Sequence, residues 1–342
     1  MVLPLRLVTF NAYLISQVFN QNRVTHPEQR ASRIQRFLQA HDLCFLQEVW
    51  GVGLAQLTIP SLMAKDDSKT TNLSRKSVTE PFQLPPWRRA FLGHWLANSS
   101  WSEFLYTFVF HVILQTGGLY DMARPNAAHC VYRSKHTFSQ SRSKSLKGVE
   151  ATLWTDIAAW DYRYDLLVFN THLDPWVSEN RQQQVNEIVD FMRTTVHQID
   201  LLPRRQKSDA WSSTGVLVVG DFNVKAGTKE YEALFRNKGW KDGMMIASSK
   251  ETRPDDVVSD EHTYSESNSL VNFQEDCGRI DYVFMVDSLE GRKFLPLHCL
   301  TCRTSRQRHG DELSDHYPIV AEIIPLSIPD RKPYATPSTT ND

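Results

Sequence analysis

Short apolar runs that stop on a polar side chain recur along this sequence, and that recurrence restricts the fold more than any other feature. Residues 5–10 read as a buried strand giving way to Asn11, and residues 43–46 as a second one followed closely by Glu48. Between them, residues 28–40 form a helix with Pro27 at its first turn and Ala31, Ile34 and Leu38 on one face. Strand, helix, strand in this order marks an α/β layer, in which ligands gather at strand ends. Asn11 and Glu48 are expected just past two such ends.

The rhythm continues downstream. Residues 127–132, 151–160, 166–170, 216–219, 280–285 and 319–323 carry the β-branched and aromatic side chains of strands. Val185, Ile188, Val189 and Met192 mark an amphipathic helix, and Tyr231, Leu234 and Phe235 another. Residues 63–83 are polar and short of apolar anchors, which predicts a loop insertion, not a boundary. Beyond it, Trp87, Phe91 and Trp95 recur at helical spacing, and Ser100 with Glu103 forms a capping box for a helix through Ile113. Those rings either fill the core between helices or rest at a membrane interface. One domain over residues 1–325 and a disordered, Pro- and Thr-rich tail over 326–342 are expected.

Of the 342 residues, 41% are hydrophobic and 23% charged, enough for a substantial core. Lysine and arginine total 38 against 39 acidic residues, so no global positive field draws the chain to nucleic acid or anionic lipid. Any such contact must be local. Arg303, Arg306, Arg308 and His309 crowd one loop, as a phosphate grip or as an ordinary solvated charge run. Five scattered cysteines fit reduced thiols, and the Cys299/Cys302 pair lacks the second half of a zinc site. The first residues lack the order of a secretion signal, and no apolar run reaches the roughly 20 residues of a spanning helix. A cytoplasmic protein with at most peripheral membrane contact is expected, with no obligate protein partner evident.

Gly220-Asp221-Phe222-Asn223 follows an apolar strand and projects a carboxylate and an amide together, both oxygen donors of the kind magnesium prefers. By itself the segment also reads as an Asx-type turn. Ser314-Asp315-His316 precedes the final strand, setting an acid beside the side chain best suited to accept a proton near neutrality. Asp281 enters an otherwise apolar strand and needs a partner. His316, which it would orient, is one candidate, and Arg279 is the blander one. Asn170-Thr171-His172 ends another strand with a ring able to donate to a phosphate oxygen.

Taken in order, from Asn11 to His316, these segments resemble the endonuclease/exonuclease/phosphatase superfamily. The resemblance implies a deoxyribonuclease-like α/β fold, a four-layer α/β/β/α sandwich of two mixed β-sheets covered by helices. It implies hydrolysis of phosphoesters with magnesium, manganese substituting. Glu48 would be the principal metal ligand, with Asn11 and Asp315 beside it. Asp221 and Asn223 would handle phosphate and attacking water, His172 would bind phosphate, and Asp281 would support the base His316. Gly117-Gly118-Leu119, Lys147-Gly148-Val149-Glu150 and Ser314-Asp315-His316-Tyr317-Pro318 are similar to the neutral sphingomyelinase branch, which implies a phospholipid substrate. Tyr120-Asp121-Met122-Ala123 departs from that branch's pattern, and nucleic acid or inositol phosphates stay open as substrates, as does a noncatalytic binding protein on the same scaffold.

Overall fold

The computed structural model describes residues 2–14, 27–49, 118–139, 147–202, 210–248, 261–271 and 277–326. β1 (Leu5–Leu14) and β2 (Leu43–Val49) run parallel, with α1 (Pro27–Leu38) between them in sequence, and β3 (Tyr120–Ala123) lies antiparallel to β2. The chain continues as β4 (His129–Thr137), β5 (Gly148–Thr155), β6 (Asp165–His172), α2 (Ser178–Asp200) and β7 (Thr214–Asp221). Then come α3 (Lys229–Phe235), β8 (Trp240–Asp242), α4 (Gly243–Ser248) and β9 (Asp281–Val286). A small ribbon of β10 (Ser288–Leu289) and β11 (Arg292–Lys293) precedes β12 (Leu297–Thr304) and β13 (Ile319–Pro325). Among the described residues one sheet has the order β12-β13-β1-β2-β3 and the other β4-β5-β6-β7-β9-β8. Both are mixed, because β1 with β2 and β6 with β7 are parallel pairs within otherwise antiparallel sheets.

Successive strand residues face opposite ways, and the two faces here bury into different layers. On β1, Leu5 and Leu7 turn toward the second sheet, while Val8, Phe10 and Ala12 pack under Ala31, Ile34 and Leu38 of α1. On β6, Leu166 and Val168 face the first sheet, whereas Leu167 and Phe169 meet Val185, Ile188 and Met192 of α2. β7 and β9 repeat the division: Leu217, Val219, Val283 and Met285 lie between the sheets, and Val216, Val218, Tyr282 and Phe284 lie beneath the helices. Three apolar layers therefore separate four layers of backbone, the expected α/β/β/α sandwich.

The inner rows change character at one end. Leu5, Leu7 and Thr9 lead to Asn11; Leu166, Val168 and Asn170 lead to His172; Leu217 and Val219 lead to Asp221. Met285 and Val283 lead to Asp281, whose strand is antiparallel to β7 and pairs Asp281 with Asp221. Phe222 pins the turn after Asp221, its ring edge-on to Phe235 and Phe284 at centroid distances of 5.2 Å. Truncating a ring so buried costs about 3–5 kcal/mol.

Several elements differ from the sequence reading. Asn11 and Glu48 sit inside β1 and β2, not past their ends, because both strands outlast their apolar runs. The stretch 151–160 is not one strand: β5 stops at Thr155, and Ala158–Trp160 turns as a 3-10 helix. Arg303 belongs to β12, a strand not anticipated, so it is not part of a loop with Arg306, Arg308 and His309. The insertion at 63–83, the aromatic helices across 87–113 and the tail from 327 on lie outside the described residues. All five cysteines are free, and among the described residues no helix is long and apolar enough to cross a membrane.

Candidate active site

Parity delivers most of the site. Asn11, His172, Asp221 and Asp281 each continue an inner-facing row, so they converge in the polar end of the gap between the sheets. Asp221 stands at the centre. Its Oδ2 accepts from Asn11 Nδ2 at 3.0 Å and lies 3.4 Å from His172 Nε2 and 3.8 Å from His316 Nε2. Its Oδ1 accepts the Asn223 backbone N–H at 2.9 Å, while Asn223 Nδ2 donates to the Leu173 carbonyl at 3.0 Å. Gly220 makes the approach possible: at φ 134° a Cβ there would lie 2.0 Å from the Thr171 carbonyl oxygen.

Glu48 arrives by a different route. Alternation would send it toward α1 along with Cys44 and Leu46, but its φ of 54° breaks the pleat. Its Oε1 consequently lies 3.7 Å from His172 Nε2. His316 and Asp315 come from the segment before β13. His316 Nδ1 is 2.9 Å from Asp281 Oδ2, and Asp315 Oδ1 accepts from Ser314 Oγ at 3.0 Å. Arg279, the alternative partner for Asp281, pairs instead with Asp242 at 2.8 Å and lies over the Tyr282 ring.

All eight residues singled out from the sequence have described positions, and the structure gathers Asn11, Glu48, His172, Asp221, Asn223, Asp281 and His316 through the contacts above. Asp315 adjoins them as a charge felt by Glu48. One residue was missed: Lys147, whose Nζ abuts His172 Nε2. Its position just before β5, next to Gly148, was visible, but a single lysine in a polar stretch carries no periodic signal.

Electrostatics set these groups apart from surface residues. Burial drives the Glu48 carboxyl up to about 7; Lys147 opposes the rise, and the Asp315 and Asp221 charges add to it. Burial also raises Asp315. Burial would raise Asp221 as well, but His172, His316 and Lys147 outweigh it and hold the group low. Burial, aided by Lys147, keeps His172 far below the ordinary imidazole value. His316 is raised to about 10, because Asp281 and Asp221 overcome its desolvation.

Carboxylates that raise one another are a site short of positive charge. Asp221, Asp281 and His316 place one ligand-capable atom each within 4.8 Å of one another, the group among the described residues spaced as a metal site. It differs from the Asn11, Glu48 and Asp315 set read from the sequence. The two adjoin, since Asn11 bonds Asp221 directly. The oxygen-rich donors fit a hard divalent cation, whereas His316 Nδ1 is already engaged by Asp281.

The sequence pattern of the endonuclease/exonuclease/phosphatase family matches residues 8–316. Among curated proteins none matches. Solved structures share the fold at low identity. TDP2 of D. rerio, complexed with a single-strand DNA product, is 14% identical over 94% of this chain and 99% of its own, with a TM-score of 0.53. A mannosyl-6-phosphatase from Bacteroides thetaiotaomicron gives 14%, 94%, 99% and 0.53 for the same quantities. Sphingomyelinase C from Streptomyces griseocarneus gives 16%, 93%, 99% and 0.51. A match that begins on β1 and ends at His316, on a sandwich these structures share, makes this chain a member of the endonuclease/exonuclease/phosphatase family.

Proposed function

We propose that the chain is a magnesium-dependent phosphodiesterase that releases a phospholipid headgroup in the manner of a neutral sphingomyelinase. The observation that carries the hydrolytic reading is the convergence on Asp221 of Asn11, His172 and His316, with Asp281 behind His316. Asp281 accepts the Nδ1 proton of His316, leaving Nε2 to take a proton from water held near Asp221. Asp221 and Asn223 orient that water for in-line attack on phosphorus. His172, whose Nε2 lies beside both Glu48 and Asp221, and Lys147, which abuts that nitrogen, hold the phosphate oxygens. Glu48, Asn11 and Asp315 would hold the cation, with manganese able to substitute for magnesium. When bound, such an ion polarises the phosphoryl oxygen, steadies the leaving oxygen and offsets the carboxylate field that keeps His316 protonated.

A general base contributes roughly 10²- to 10⁴-fold, about 3 to 5 kcal/mol, so the cation and the fixed donors carry most of the acceleration. The Lys147-Gly148-Val149-Glu150 and Ser314-Asp315-His316-Tyr317-Pro318 segments support the lipid substrate, which the enzyme would meet as a peripheral membrane visitor. The test is a parallel assay with magnesium on sphingomyelin micelles, duplex DNA and inositol phospholipids, with Glu48→Ala and His316→Ala as blanks. Phosphocholine release lost in both variants is expected. DNA cleavage or free phosphate as the main product would move the substrate assignment. Full activity in both variants would overturn the site, and magnesium binding without turnover of any substrate would leave a noncatalytic binder.

A further inference from the structure

Arg30, on α1, is 4% exposed, a costly place for a guanidinium whose donors are not satisfied. Its Nη1 donates to the carbonyl oxygens of Ala12 at 3.3 Å and Leu313 at 2.9 Å, and its Nη2 to that of Tyr13 at 2.7 Å. These carbonyls belong to two segments that have stopped pairing with each other, because β1 and β13 last meet at Thr9 and Ile319. Past that point β1 bulges against β2 between Asn11 and Leu14, with Tyr13 at φ 43°. The opposite segment runs from Leu313 through Ser314 and Asp315 to His316.

We propose that Arg30 is a positioning residue, a clasp that fastens the β1 bulge to the 313–316 segment and so fixes Asn11 relative to Asp315 and His316. The inference rests on the hydrolase reading above. Asn11 and the bulge move as one unit, since Asn11 Oδ1 accepts the Tyr13 N–H at 3.1 Å while its Nδ2 donates to Asp221. A planar fork reaches carbonyls on both segments at once, which a lysine ammonium on its flexible stem does not reproduce. Packing of α1 does not require the charge, because Ala31, Ile34 and Leu38 already fill that interface. Asp315 also lies close enough to act on Arg30 electrostatically, so the clasp adjoins the oxygen donors themselves.

The test uses full-length Arg30→Lys and Arg30→Gln, with Arg33→Gln on the same helix as the control. Magnesium affinity is read by calorimetry without substrate, fold by near-ultraviolet circular dichroism, and kcat and KM separately. A folded Arg30→Lys protein is expected to lose about tenfold or more in magnesium affinity. Its kcat should fall while KM stays within about twofold, and Arg33→Gln should match the wild type. Folded Arg30 variants with wild-type magnesium affinity and kcat would overturn the clasp alone. So would unfolding of both variants, which would make Arg30 a stability residue. A wild-type protein that neither binds magnesium nor hydrolyses any substrate would overturn the functional reading and the clasp with it.

Discussion

Glu48 Oε1 on one sheet stands 3.7 Å from His172 Nε2 on the other, so at the polar end of the gap between the sheets a carboxyl wall faces an imidazole wall. The Glu48 wall is under electrostatic load, its carboxyl pushed up to about 7 by burial and, beyond that, by Asp315 and Asp221 against the pull of Lys147.

Glu48→Gln should therefore stabilise the metal-free protein while removing activity. A gain of about 1 kcal/mol would raise the melting temperature by about 1.5 °C in chelator. Added magnesium should then raise the wild-type midpoint and leave the variant unmoved. Calorimetric scans with and without magnesium check both halves. A variant less stable than wild type in chelator would contradict the load.

Asp281→Asn removes the charge behind His316. In the metal-free wild type the imidazole is raised to about 10, with Asp281 and Asp221 overcoming desolvation. A raised imidazole contributes stability in full below its unfolded value of about 6.5 and loses that contribution as pH climbs through its folded value. The variant should titrate nearer neutrality by NMR, show less loss of stability between pH 7 and about 10, and turn over about 10²-fold more slowly or worse. An unchanged titration would show that Asp281 is not the dominant partner.

Much of this arrangement was legible before the fold was known, and the reason is parity. The run at 216–219 followed by Gly220-Asp221, and the run at 166–169 followed by Asn170-Thr171-His172, announce both a strand and what its end presents. Glu48 was identified by resemblance, yet its direction was hidden, since no residue count reveals a left-handed φ of 54°. β12 escaped because a bulge between Cys299 and Thr301 breaks its alternation. The partner of Arg279 was hidden for a different reason: Asp242 is 37 positions away and meets it only once β8 docks on β9.

Beneath the site lies a polar layer that the sequence did not suggest. Asp121 accepts from Asn170 Nδ2 at 2.6 Å and from Thr152 Oγ1 at 2.9 Å, while Gln47 Nε2 donates to Asn170 Oδ1 at 2.8 Å. Burial and then Glu150 raise the Asp121 carboxyl to about 7, against Arg133 and these hydrogen bonds. The sign follows from linkage: the folded state holds this proton more tightly, so its contribution is complete below about pH 4 and is lost as pH rises through 7. Asp121→Asn should flatten that decline. Urea midpoints at pH 5 and pH 8 check it, and an equal decline in both proteins would refute it.

Gly220→Ala should be severe for its size. The added methyl meets the Thr171 carbonyl oxygen at 2.0 Å, and φ 134° disfavours any side chain. A loss of at least about 2 kcal/mol is expected, with turnover falling further than stability because Asp221 and His172 flank the clash. Denaturation midpoints and initial rates on the same preparation separate the two effects.

The row logic also sets how this chain can change over evolutionary time. Removing one residue from the middle of β6 or β7 would leave hydrophobicity almost untouched, yet would rotate His172 or Asp221 from the cleft to the helix-covered side. Exchanges between apolar types in these strands should therefore be common among functional descendants, whereas length changes should be confined to the connections.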